Sequence, residues 1–220
     1  MIRLYLEDLE NRIIPEVEEE LLSQWKGFLD GKVNSPFFSP RRKILSPPSF
    51  PWRAVLINEA IDDFDLMALQ QISECSATLA SGSGAIMNVR PNYGAGTFPS
   101  VFGADIFIMD TEFNALPTSK PLNGGIDDVM RILDRGAPDI HTGYGERCLA
   151  MGERFAHLFA DYPKVSKYVR IYHPDLQCPM DVCELLLGSN LMINAFWMNL
   201  MGAPSISAEG ETTISIAFLK

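Results

Sequence analysis

The sequence predicts an α/β fold, and three observations carry that expectation. Short apolar runs alternate with stretches of helical period, breaks rich in glycine and proline separate them, and polar residues follow the C-terminal end of each apolar run. Strands alternating with helices imply βαβ units and a parallel sheet. In such sheets ligands bind beyond the C-terminal ends of the strands, so the polar residues there are the first candidates for a site.

The elements follow in order. Leu4–Leu29 has helical spacing through Leu6, Leu9, Ile13, Val17, Leu21 and Trp25, with Pro15 marking a break or a fresh start. Residues 36–51 are too rich in proline for a regular element and too aromatic for a free linker, since Phe37, Phe38 and Phe50 lie in them. They read as an arm packed on the body, or as the wall of a substrate entrance. The one basic cluster, Arg41-Arg42-Lys43, reads as an exposed loop tip. Asp62–Leu79 predicts a helix and Ala85–Val89 a strand. Thr97–Phe102 predicts a short helix, and Ala104–Met109 a second strand. Ile126–Leu133 and Gly145–Phe159 predict helices, Val169–Tyr172 a third strand, and Met180–Leu187 the helix after it.

Composition narrows the function. The chain has 220 residues, 47% of them hydrophobic and 21% charged, enough for a packed core and unlike a disordered polymer. A net charge of -10 repels phosphate backbones, so nucleic acid is not an expected partner. No apolar run approaches the ~20 residues that a membrane span needs. Met1–Glu20 is acidic, unlike a signal peptide, and the four cysteines form no dense framework, so a cytoplasmic protein with reduced thiols is expected.

Chemistry concentrates in two segments. In Ile171–Gly188, two prolines stiffen a polar loop that joins a strand to a helix, so that side chains can be aimed. His173 and Asp175 are a candidate proton-transfer pair, against the plainer reading in which His173 only closes the strand end. Gln177 is a candidate substrate contact. Asp181 reads as a helix cap before it reads as a catalytic group. In Arg90–Pro99, Asn92, Tyr93 and Phe98 suit a pocket wall facing a planar ligand, with plain turn packing as the alternative. The glycines there lack the spacing and lysine of a phosphate loop. The three histidines are scattered and no CxxC is present, so no metal site is expected from this chain alone.

The run YHPDLQCPMDVCELLLGS, with the upstream NVRPNYGAGTFPSVFGADIFIMD, resembles the uroporphyrinogen decarboxylase-like superfamily. More narrowly, it is similar to a divergent bacterial branch near the corrinoid-linked methyltransferases, over residues 7–189. The resemblance implies a (β/α)₈ barrel of the TIM type with an N-terminal helical extension, of which this chain would hold the N-terminal part. It implies a site at the strand C-terminal ends that includes Asn92, Tyr93, Phe98, His173, Asp175 and Gln177. It implies decarboxylation of a tetrapyrrole, or methyl transfer to or from a corrinoid protein, and in the methyltransferase branch a zinc held by His and Cys ligands of the C-terminal half. The arginine-rich motif of true decarboxylases has no counterpart at Arg41 and Arg42, and Cys178 stands where the family would have glycine.

These readings divide the chain into a helical extension with its arm (1–53), the N-terminal part of the barrel (54–189) and an aberrant tail (190–220). Trp197-Met198-Asn199-Leu200, with a CTN codon for the leucine and read two bases along, encodes Asp, then Glu, then Pro or Ser, which resembles a helix start of the family. A frameshift within 190–215 is therefore expected. A chain cut short in this way would be inactive alone and prone to self-association through exposed barrel edges. Its expected partners are a small-molecule substrate or a corrinoid protein, and whether it acts as an enzyme stays open.

Overall fold

The computed structural model describes residues 2–33 and 37–190. The tail expected to carry the frameshift therefore lies outside the described residues, apart from residue 190. In order, the elements are α1 (Ile2–Arg12), α2 (Pro15–Leu29), α3 (Ile57–Asp62), α4 (Phe64–Ser81), β1 (Asn88–Val89), α5 (Thr97–Val101), β2 (Ile106–Phe107) and β3 (Thr118–Ser119). They continue with α6 (Ile126–Asp134), α7 (Tyr144–Phe159), α8 (Pro163–Tyr168), β4 (Arg170–Ile171) and α9 (Pro179–Leu187). The protein is α/β, mostly helical, with two small two-stranded sheets and no closed barrel among the described residues.

The chain forms two compact units. The first holds residues 2–91 and 151–173, and the second 92–150 and 174–190.

In the first unit, β1 pairs parallel with β4, Asn88 opposite Arg170 and Val89 opposite Ile171. The helices are built around α4, which packs on α1, α3 and β1. Asp63 caps α4 by accepting from Asp65 N and Leu66 N at 2.7 and 3.0 Å. Its apolar positions Met67, Leu69, Ile72, Cys75 and Leu79 are buried. Pro15 opens α2 at the first helical position, where its missing N–H costs nothing.

The proline-rich arm packs on this unit. Trp25 and Phe28 take Phe38 between them, with the Phe28 and Phe38 rings stacked at 4.4 Å. Arg12 donates to the Ser46 carbonyl and to Ser76 while pairing with Asp8 at 3.2 Å. In the basic cluster Arg41 and Lys43 are exposed as expected, but Arg42 departs from that expectation at only 4% exposure. Its guanidinium meets Glu18 on α2 at 2.7 Å and also donates to the carbonyls of Ser83 and Ala85. A charge inside an arm is tolerated there because all three guanidinium nitrogens find acceptors.

The second unit differs from expectation in its sheet. β2 lies in the strand expected over 104–109, but it pairs antiparallel with β3, Ile106 opposite Ser119, and extends no parallel sheet. Both strands are two residues long, so the ladder is local. The core of this unit is an apolar cluster of Phe102, Ala104, Val129, Val182, Cys183 and Leu186. The hydrogen bond from Leu122 N to the Leu186 carbonyl at 2.8 Å ties the segment before α6 to α9.

Candidate functional site

The parallel pairing gives the two candidate loops a common origin. The ladder continues through Arg170 N to the Met87 carbonyl at 2.9 Å and Tyr172 N to the Val89 carbonyl at 2.8 Å. The chain thus leaves β1 through Arg90-Pro91 and β4 through Tyr172-His173 at the same edge of the pair, the C-terminal one. Gln71 on α4 fixes the exit of β1, since its side-chain oxygen accepts from Arg90 N at 3.1 Å.

After Pro91, Tyr93 is fully buried at 0% exposure. Burial pushes its hydroxyl up to about 12, although the adjacent Arg147 guanidinium, first by its side-chain contact and then by its charge, pulls the other way. The Arg147 guanidinium lies over the ring, 5.4 Å from its centroid, and the Tyr144 ring meets it edge-on at 5.5 Å. Buried polar groups are ordinarily hydrogen-bonded. Here the Tyr93 hydroxyl and the Asn92 side-chain oxygen are buried without a hydrogen-bond partner. Both belong to residues that the sequence marked for ligand binding. Tyr144 and Arg147 went unmarked. They stand three apart at the start of α7, on one helix face, and that spacing was the available signal.

The glycines of this loop serve packing. Gly94 has φ +79, and a Cβ there would lie 2.1 Å from the Pro117 carbonyl oxygen. A Cβ on Gly96 would meet the Thr118 backbone at 2.6 Å. Their faces are thus occupied by the chain's own backbone, so these two glycines allow close backbone approach within a turn. Phe98 is half-buried against the apolar core, its ring edge-on to Phe102 at 5.4 Å.

Beyond β4, His173 is exposed, while Asp175 and Gln177 are half-buried. Asp175 accepts from Gln177 N at 3.4 Å, a turn-forming contact. Gln177 adopts the left-handed conformation at φ 59, which L residues visit at a cost of about 1–2 kcal/mol. Cys178, which stands in the family's glycine position, has φ -86 and ψ 162. That extended backbone suits the residue before Pro179 and requires no glycine. Asp181 accepts from Cys178 N at 3.3 Å and from the Cys178 thiol at 2.8 Å. It therefore caps α9, at its third helical position.

The fit for zinc is poor. Among the described residues, no three His, Cys, Asp or Glu side chains come together to hold a metal ion. Burial pushes the thiols of Cys75 and Cys148 up to about 12 and that of Cys183 to about 11, away from the thiolate that zinc needs. No described helix is long and apolar enough to cross a membrane. Compared with family models, curated proteins and solved structures, the chain matches none of them.

Proposed function

We propose that this chain belongs to the uroporphyrinogen decarboxylase-like superfamily, near its corrinoid-linked methyltransferases, and that its α/β body corresponds to the N-terminal part of a (β/α)₈ barrel. The parallel pairing of β1 with β4 is the observation that supports it best, because the two loops that carry the resemblance leave one C-terminal strand edge, the ligand-binding edge of α/β sheets. In this reading Asn92, Tyr93, Phe98 and Gln177 contact a small-molecule substrate or the corrinoid of a partner protein, and His173 and Asp175 move protons or balance charge. The unpartnered oxygens of Asn92 and Tyr93 suit contact with a polar ligand.

A second reading has one observation in its favour: the Asp175 carboxylate is engaged in an ordinary turn with Gln177 N. A non-catalytic α/β ligand-binding domain would need no more than that. Because the chain alone is expected to be inactive, the test is to fuse it to the C-terminal half of a corrinoid-linked methyltransferase and incubate the fusion with a methylated corrinoid protein and a thiol acceptor, and separately with uroporphyrinogen, followed by product analysis. The catalytic reading expects one reaction to run and to fall at least tenfold in H173Q or D175N. Formation of coproporphyrinogen would identify a genuine decarboxylase. Ligand binding that perturbs Asn92 and Tyr93 without turnover would leave the binding domain. Neither binding nor turnover would end both.

A further inference from the structure

A cleft lined by none of the residues assigned above lies in the second unit. In the second unit, α5, the end of α6 and the loop that follows enclose an open cleft of about 490 Å³. That size is within the range of small-molecule sites. Val101, Phe102, Ile132 and Pro138 give it apolar walls, and Arg135 and Asp139 are the charged residues of its lining. The two charges are differently placed in their bonding. Asp139 accepts from His141 N at 3.0 Å within its own loop. Arg135 pairs with no carboxylate among the described residues, in a protein whose net charge is -10.

The loop is held in shape around the cleft. Thr142 donates to the Val101 carbonyl at 3.2 Å, and Tyr144 N donates to the Ser100 hydroxyl at 2.8 Å. Gly143 has φ +55, and a Cβ there would sit 2.5 Å from the Ser100 carbonyl oxygen. The cleft is therefore a built feature of the unit rather than a gap between passing segments.

We propose that this cleft is a binding site for a small organic anion with an apolar body, its acid group against Arg135 and its body on the Val101, Phe102, Ile132 and Pro138 walls. The charge of the ligand follows from the unpaired guanidinium, and the apolar body from the remaining lining. The proposal is independent of the function proposed above, since the two share no residue.

The test uses the full chain and three probes of nearly equal shape: 2-naphthoate, 2-naphthylmethanol and 2-naphthylmethylamine. Amide and methyl NMR titrations locate and rank their binding. The naphthoate is expected to shift residues 100–103 and 135–143 and to bind at least threefold more tightly than the alcohol, with the amine weakest. R135Q, at an exposed position, should fold normally and should abolish the preference for the naphthoate over the alcohol, while I132A should weaken naphthoate and alcohol alike. Equal binding of all three probes, unchanged selectivity in R135Q, or shifts confined to other residues would each overturn the proposal.

Discussion

The two units differ in the polar groups they bury, charged pairs in the first and uncharged side chains in the second. In the first, the buried charges are matched: Arg42 meets Glu18, and Arg12 meets Asp8, Ser76 and the Ser46 carbonyl. In the second, the core is apolar, and the buried oxygens of Asn92 and Tyr93 find no hydrogen-bond partner. A buried ion pair adds little net stability over a well-packed apolar replacement, but half of one is strongly destabilising. The first unit thus spends its polar residues on locking the arm to the helices. The second leaves the oxygens of Asn92 and Tyr93 without a hydrogen-bond partner.

Breaking a matched charge should have the largest effect. R42A strips the partner from a carboxylate of 5% side-chain exposure and should cost about 3–5 kcal/mol in urea unfolding. Replacing both members, as Arg42→Met with Glu18→Leu, should recover most of that loss. If the single and double variants are equally unstable, the charges are not matched as described. In the second unit L186A should cost about 2–5 kcal/mol, because it opens a cavity in a cluster that rests on apolar burial alone. A loss below 1 kcal/mol would mean that the cluster is loosely packed.

A smaller effect sharpens the contrast through pH. Burial works to raise Asp8, but hydrogen bonds from Ser49, Arg12 and Trp52 outweigh it and hold the carboxyl below the ordinary aspartate range. A lowered folded pKa stabilises fully above the unfolded value of about 3.9 and loses that contribution as pH falls through the folded value. Stability of the first unit should therefore drop below about pH 4, and D8N should flatten that limb. In the second unit, His141 lies 2.5 Å from Glu146, and that hydrogen bond, with the carboxylate charge, raises the imidazole pKa. NMR titration should find His141 above the ordinary histidine value and E146Q should return it toward that value. The smallest change is Q177G, which removes the left-handed strain and should raise stability by about 0.5–1 kcal/mol.

Much of the fold was legible in the residues. The period of Leu6, Leu9, Ile13 and Leu21 marks the first two helices, and Pro15 falls at the start of α2. The strand expected over 169–172 contains β4, and the helix after Pro179 ends at Gly188. The four residues of β2 and β3 were not legible as a pair: Thr118-Ser119 carries no strand pattern, and its pairing depends on chain returning from 108–117. Arg42 was misread for a related reason. A cationic cluster between prolines has the composition of an exposed loop, and only the acceptors at Glu18, Ser83 and Ala85 reveal its burial.

The sequence by itself determined the local elements, because helix period, capping and proline position act within a few residues. It also marked Asn92, Tyr93, His173, Asp175 and Gln177, because polar residues after an apolar run stand out locally. Tertiary structure alone decided that β1 takes β4 as its partner, the paired Val89 and Ile171 standing 82 positions apart, and that Arg147 covers Tyr93. It alone decided that the glycines after Tyr93 hold backbone against backbone and that Arg135 faces a cleft. Such contacts depend on where distant segments meet, and a residue's immediate neighbours in the chain carry no record of that.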